Sequence, residues 1–311
     1  MNAPAAGPLP ADSAAARRDG LAAAHSFRLP FASRSWRGLQ GNWLGSGLGS
    51  SIDFQDHRAY LPGDDPRHIH WAAYARTGLL TMKLFRAEVA PMVEIAVDVS
   101  ASMTYDPAKA ARMESLLAFC VESAVRTGAP VRIFAVNGRT VRPLTTDEVR
   151  AGRWRERALP GPAEPAPAGP AGGRSPIPPP VPPGPLPWRG PALKVLISDL
   201  LFPGDPSGVL VPLAAGAGTA LVLAPALASE AVAPAPGNLE LIDCESLRHR
   251  HRRVEESFTA RYREAYGRHF NLWREAARRR GVRLACTPCA GTLADALALE
   301  ALPAGAVEHN L

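Results

Sequence analysis

From residue 91 onward, short apolar runs without polar alternation recur between amphipathic stretches, and this pattern constrains the fold more than any other feature. Val195-Leu-Ile197 and Ala220-Leu-Val-Leu223 have no polar residue at every second position. A strand with one wet face would show that alternation, so helices must cover both faces of these. The pattern predicts strands at 92–98, 131–136, 140–144, 194–198, 219–224, 239–242 and 282–286. Helices are expected near 107–127, 146–157, 206–215, 255–280 and 292–300. Strand and helix in turn imply an α/β domain with a mainly parallel sheet and right-handed crossovers.

Around this core the composition changes. The first 35 residues are rich in alanine and small residues and read as a disordered tail; 36–90 form a separate segment, and 91–305 the main domain. Residues 160–191 are dominated by proline, glycine and alanine, which rule out a helix interior or a central strand. They read as an exposed, semi-extended insert. The cluster Gly45-Ser-Gly-Leu-Gly-Ser50 fails the dinucleotide-binding pattern at its last position and reads as a loop. Residues 206–229 carry no charge, yet Pro212, Gly216, Gly218 and Pro225 interrupt them. A helix followed by a buried strand is expected there, not a membrane span. The four cysteines are too few for a disulfide framework in 311 residues, and Cys286-Thr-Pro-Cys289 has no second pair with which to build a zinc site. A reduced, soluble, cytoplasmic chain is expected. Its net charge of +6 permits an acidic partner without demanding one.

The strand at 92–98 runs into Asp98-Val-Ser100-Ala-Ser102, which delivers one carboxylate and two hydroxyls to a single loop. Hard oxygen donors of this kind suit an octahedral Mg²⁺ that keeps some of its waters. The same residues also read as a turn in which Ser100 or Ser102 caps the next helix.

A second block is longer: Phe54-Gln-Asp-His-Arg58-Ala-Tyr60-Leu-Pro-Gly63-Asp64-Asp65-Pro-Arg67-His-Ile-His-Trp71, followed by Ala75-Arg76-Thr-Gly-Leu-Leu-Thr-Met-Lys83 and Glu88. Together with the Asp98 loop, it resembles the bacterial family catalogued as domain of unknown function 58, over about residues 38 to 300. The resemblance implies a von Willebrand factor A-like, Rossmann-like three-layer sandwich preceded by the signature segment. It also implies a metal-ion-dependent adhesion site and association with MoxR-type AAA+ ATPases. By that resemblance Asp98, Ser100 and Ser102 would bind Mg²⁺, with Asp199 from the end of a later strand. Such sites add a hydroxyl from a middle loop, and between Thr146 and Ser198 the sole hydroxyl is Ser175. One departure is His70, where the family usually has an aspartate before the tryptophan.

Gly63-Asp-Asp-Pro66 is a strong turn signal. Asp64 and Asp65 are expected to cap it and to pair with Arg58, Arg67 and Arg76, with Tyr60 and Trp71 in a core. His68 and His70 are expected on one side of a strand. Arginines crowd a helix expected at 248–280, whose Phe258, Tyr262, Tyr266, Phe270 and Trp273 should pack on the sheet. The functional expectation is a non-enzymatic interaction module, partner of a MoxR-type ATPase or its client. Its alternatives are a Mg-dependent hydrolase and nucleic-acid binding through the arginine-rich helix.

Overall fold

The structure is a computed structural model that describes residues 13–31, 54–62, 66–85, 92–158, 184, 186–189, 192–202, 204–216, 218–245 and 248–310. It divides into two compact units, one within 40–90 and one built from the chain on either side of it. The insert at 160–191 lies outside the described residues except for Gly184 and 186–189, and Ser175, Gly63, Asp64 and Asp65 are among those left out.

The chain begins with a correction. Ser13–Ser26, expected in a disordered tail, forms helix α1, and Phe27–Arg28 forms strand β1. Local sequence does not announce α1, because its apolar residues are mostly alanines. Packing makes it: a Cβ at Gly20 would lie 2.3 Å from the carbonyl oxygen of Ser115, so only glycine lets the two backbones approach this closely. The Leu29 amide donates to Ser123 Oγ at 2.8 Å, and the Asp19 carboxylate accepts from the Leu293 amide.

In the smaller unit β2 (Phe54–Ala59) pairs antiparallel with β3 (Thr81–Phe85), and α2 (Trp71–Thr77) lies between them in sequence. Gly78, at φ 67°, ends α2 with its amide on the Tyr74 carbonyl. Ile69 bridges Met82 and both are buried. Two expectations fail here. Trp71 is 59% exposed and meets Tyr74 edge to face, instead of entering a core. His68 ends a 3₁₀ turn and His70 is the N-cap of α2, so the pair does not line a strand.

The larger unit is α/β. Strand β4 (Met92–Asp98) leads through α3 (Ala101–Thr104) and α4 (Pro107–Arg126) to β5 (Val131–Asn137) and β6 (Thr140–Leu144). Then come α5 (Thr146–Ala151), α6 (Trp154–Ala158), β7 (Ala192–Ile197), α7 (Ser207–Ala214) and β8 (Thr219–Ala226). Strands β9 (Gly237–Ile242) and β10 (His249–Val254), helix α8 (Glu256–Arg279), β11 (Arg283–Pro288), α9 (Leu293–Ala296) and β12 (Glu308–His309) complete it. The six-stranded sheet has the order β11-β8-β7-β4-β5-β6 and is parallel except for β6. Val93, Ile95, Val195, Leu196, Leu221 and Leu223 are fully buried, as their unalternating runs require. Helices α7 and α8 bring Val209, Leu210, Trp273 and Ala277 into one cluster with Ala96, Leu196 and Val222 of the sheet. Helix α4 is buried along most of its length, and α1 packs on it.

Two predicted elements change role. The 239–242 strand exists, but as β9 it pairs with β10 in a separate antiparallel hairpin and not in the sheet. Residues 249–254, expected to start the arginine-rich helix, are β10 itself, exposed up to Val254. Helix α8 starts only at Glu256, and of its aromatic stripe Phe270 and Trp273 are buried while Phe258, Tyr262 and Tyr266 stack on one another half-exposed. Among the described residues no helix is long and apolar enough to cross a membrane.

Candidate functional site

Leaving β4, the chain builds β5 and β6 on one side and then crosses back to build β7 on the other. The crevice where the strand order reverses opens at the carboxyl ends of β4 and β7, where open α/β sheets place their ligands. Asp98 ends β4, and Ser198 and Asp199 follow β7. The sheet therefore brings together Asp98, Ser100, Ser102 and Asp199, which the sequence had singled out.

On the β4 side Asp98 is buried at 4% exposure. Its Oδ1 accepts the Ser100 amide at 3.0 Å and its Oδ2 accepts the Ser198 hydroxyl at 2.8 Å. Burial and then the negative charge of Asp199 push the carboxyl up to about 6, against the hydrogen bonds from Ser100 and Ser198 that pull it down. Ser100 stands at the N-cap of α3 but caps nothing with its side chain; its Oγ lies 3.1 Å from Ser102 Oγ. The amides at the start of α3 are taken instead by a carboxylate from far along the chain. Glu245, in the turn joining β9 to β10, accepts Ala101 N at 3.2 Å and Ser102 N at 2.8 Å.

On the β7 side Asp199 is 2% exposed. Its Oδ1 accepts the Leu201 amide at 3.0 Å, and its Oδ2 takes the Lys109 ammonium at 2.6 Å. Lys109 comes from the first turn of α4, which Asp106 caps and Pro107 opens. The same ammonium donates to Glu230 Oε1 at 2.5 Å. Burial alone would pull the lysine pKa down, but Asp199 and Glu230 outweigh it and hold it above the ordinary range. Glu230 is itself fixed, since its Oε2 accepts the Leu227 amide and its carbonyl accepts the Tyr262 hydroxyl.

Between the two sides Leu200 is fully buried with φ 60°. A branched side chain in the left-handed region costs on the order of 1–3 kcal/mol and persists only where its surroundings hold it. Here the Ser198 hydroxyl accepts the Leu200 amide at 3.2 Å and His269 Nε2 donates to its carbonyl at 2.7 Å. The strain sits next to Asp199, whose two oxygens accept from the Leu201 amide and the Lys109 ammonium.

As folded, the donor set does not fit a Mg²⁺ shared by Asp98 and Asp199. One Asp199 oxygen is taken by the Leu201 amide and the other by the Lys109 ammonium, so a divalent ion there would meet a buried positive charge at close range. Among the described residues no three His, Cys, Asp or Glu side chains are grouped to hold a metal. Asp98, Ser100 and Ser102 stand together; Ser175 lies outside the described residues.

In the smaller unit Arg58 donates to the Ala59 carbonyl and Arg76 to the Ala72 carbonyl, Tyr60 is half-buried, and Arg67 is exposed. Their expected partners Asp64 and Asp65 are outside the described residues. Sequence reasoning missed Lys109, Ser198, Glu230, Glu245 and His269. Ser198 had a signal, since it is the last residue of the predicted buried strand and directly precedes Asp199. The others join the site from positions 69 to 144 residues away in sequence, and no local pattern marks them.

No curated protein and no solved structure matches the chain. A family model matches residues 56–276, from the signature segment through the central sheet into α8. The chain belongs to the family described as "Protein of unknown function DUF58".

Proposed function

We propose that this chain is a non-enzymatic interaction module that receives an acidic side chain of a partner on the Ser100–Ser102 loop. The observation that carries the reading is Glu245, whose carboxylate already rests on the amides of Ala101 and Ser102. Backbone amides aimed at a carboxylate make charge-assisted hydrogen bonds, stronger than neutral ones. In the free protein Glu245 fills this position, and the partner's acid replaces it. The β9–β10 hairpin that carries Glu245 is exposed along nearly all of β10, so it can move aside without opening the sheet. A sheet of order β11-β8-β7-β4-β5-β6 with its ligand loop after β4 supports a von Willebrand factor A-like assignment. The family resemblance directs the choice of partner to a MoxR-type AAA+ ATPase or its client.

Ala101→Pro, made in a Glu245→Gln background so that no internal carboxylate competes, tests this cleanly. It deletes one of the two amides at the first helical position, where proline is preferred, and Ser100 already has the ψ of 162° that a following proline requires. Binding of the purified ATPase by this double variant is expected to fall about tenfold below that of Glu245→Gln alone, in line with the loss of one hydrogen bond to a charged group where no internal carboxylate competes for it. Glu245→Gln is expected to strengthen binding by removing the internal competitor, and EDTA to leave it unchanged. Equal binding by Glu245→Gln and the double variant overturns the reading; loss of binding in EDTA replaces it with a Mg²⁺-bridged contact through Asp98, Ser100 and Ser102.

A second reading rests on β10, where His249, Arg250, His251, Arg252 and Arg253 are all exposed on one strand of a two-stranded ribbon. Ribbons of this kind fit the nucleic-acid major groove. The reading predicts affinity for duplex DNA that falls steeply with salt, and no binding at low salt removes it.

A further inference from the structure

We infer that the Lys109 ammonium is the resident cation of this site: from inside the fold it neutralises Asp199, and the strand-end loops hold their arrangement with no divalent ion. Lys109 is 1% exposed and Asp199 2%, so neither charge can turn to water for its partner. A buried carboxylate without a cation is unstable, and the chain supplies one at 2.6 Å. The same ammonium is bound by Glu230 at 2.5 Å, so moving it away would strand two carboxylates at once. Neither end of the bridge is free to relax. The start of α4 is set by the Asp106 cap and Pro107, which fix where the lysine stem leaves the helix. Asp199 is set by its bond to the Leu201 amide across the strained Leu200. A divalent ion at this place would have to displace the ammonium and compensate Glu230 as well. The inference does not depend on a partner acid at the Ser100–Ser102 loop, because that loop and Lys109 bind different carboxylates.

The test compares thermal unfolding of wild type, Lys109→Met and Lys109→Met/Asp199→Asn, each in EDTA and in millimolar MgCl₂, with calorimetric titration of Mn²⁺ into wild type and Asp199→Asn. Wild type is expected to melt at the same temperature in both buffers and to take up no Mn²⁺. Lys109→Met is expected to melt about 10 °C lower in EDTA, the shift that breaking a buried pair produces in a chain of this size. MgCl₂ is expected to restore part of that loss by occupying the bared Asp199, and the added Asp199→Asn change to abolish the restoration. Should Lys109→Met fail to fold, the Mn²⁺ titration decides alone. Mn²⁺ binding by wild type that disappears in Asp199→Asn overturns the inference, as does a Lys109→Met protein that melts with wild type in EDTA.

Discussion

The two sides of the crevice start from the same geometry, a buried strand ending in an aspartate, and they resolve its charge in opposite ways. On the β7 side Asp199 is closed off by Lys109, with Glu230 locking the ammonium from behind. On the β4 side Asp98 meets no cation among the described residues; it is held by a hydroxyl and an amide, and the loop beyond it offers two more amides to a carboxylate that arrives on an exposed hairpin. A buried ion pair that loses one partner leaves an uncompensated charge, so such a pair tolerates no exchange. A carboxylate held by half-buried loop amides can be traded for another. The β7 side is built for permanence and the β4 side for replacement.

The sharpest way to break this comparison is Lys109→Met. Stranding Asp199 and Glu230 is expected to cost about 3–5 kcal/mol of stability by urea unfolding, and a cost under about 1 kcal/mol would show that the β7 side is not a lock. The Asp98 carboxyl supplies the next test. Because its folded pKa of about 6 lies above the ordinary value of 3.8, the folded state binds that proton more tightly than the unfolded chain. Its contribution to stability is therefore complete below about pH 4 and is lost as pH rises through about 6, a change of about 3 kcal/mol. Subtracting the pH–stability curve of Asp98→Asn from that of wild type isolates this slope, and a flat difference from pH 4 to 7 would remove the asymmetry in charge. Ser198→Ala takes a hydrogen bond from buried Asp98 and another from the strained Leu200 amide. It is expected to cost about 1–3 kcal/mol in thermal or urea unfolding. Glu245→Ala should have the smallest effect on the fold, about 1 kcal/mol, as expected for the loss of a carboxylate that caps half-buried amides water can reach. A large loss there would show that the hairpin is a structural part of the β4 side and not a replaceable occupant.

Much of the sheet was legible before folding. Strands β4, β5, β6, β7, β8 and β11 fall within two residues of their predicted positions; in β4, β7 and β8 a strand covered on both faces must be apolar nearly throughout, and that run is visible locally. On the arginine-rich helix (i, i+4) pairs form between Arg268 and Glu264 and between Arg279 and Glu275. What escaped has a common cause. Helix α1 shows no apolar stripe wide enough to announce it, and it exists because Gly20 and its alanines let it lie close against α4. Strand β10 reads His-Arg-His-Arg-Arg, a pattern with no buried face, and it is a strand because β9 supplies its hydrogen bonds and Glu240 meets His249 at 2.7 Å. Trp71 looked like core by residue type alone, yet α2 turns it outward.

The candidate site divides along the same line. Which acids stand at the carboxyl ends of the two central strands, Asp98 closing β4 and Asp199 two residues past β7, follows from local pattern, since strand boundaries are set by where the apolar run stops. How their charges are met does not. Lys109 reaches Asp199 across 90 residues and Glu245 reaches Ser102 across 143, and pairings at that range exist only once the sheet order has been chosen and the helices have docked. Sequence alone settles the strands of the sheet and the acids at its edge, because burial and backbone geometry act over a few residues. Whether each acid is bound by a lysine or by a loop is decided by the tertiary structure, because electrostatic partners are selected by distance in space and not along the chain.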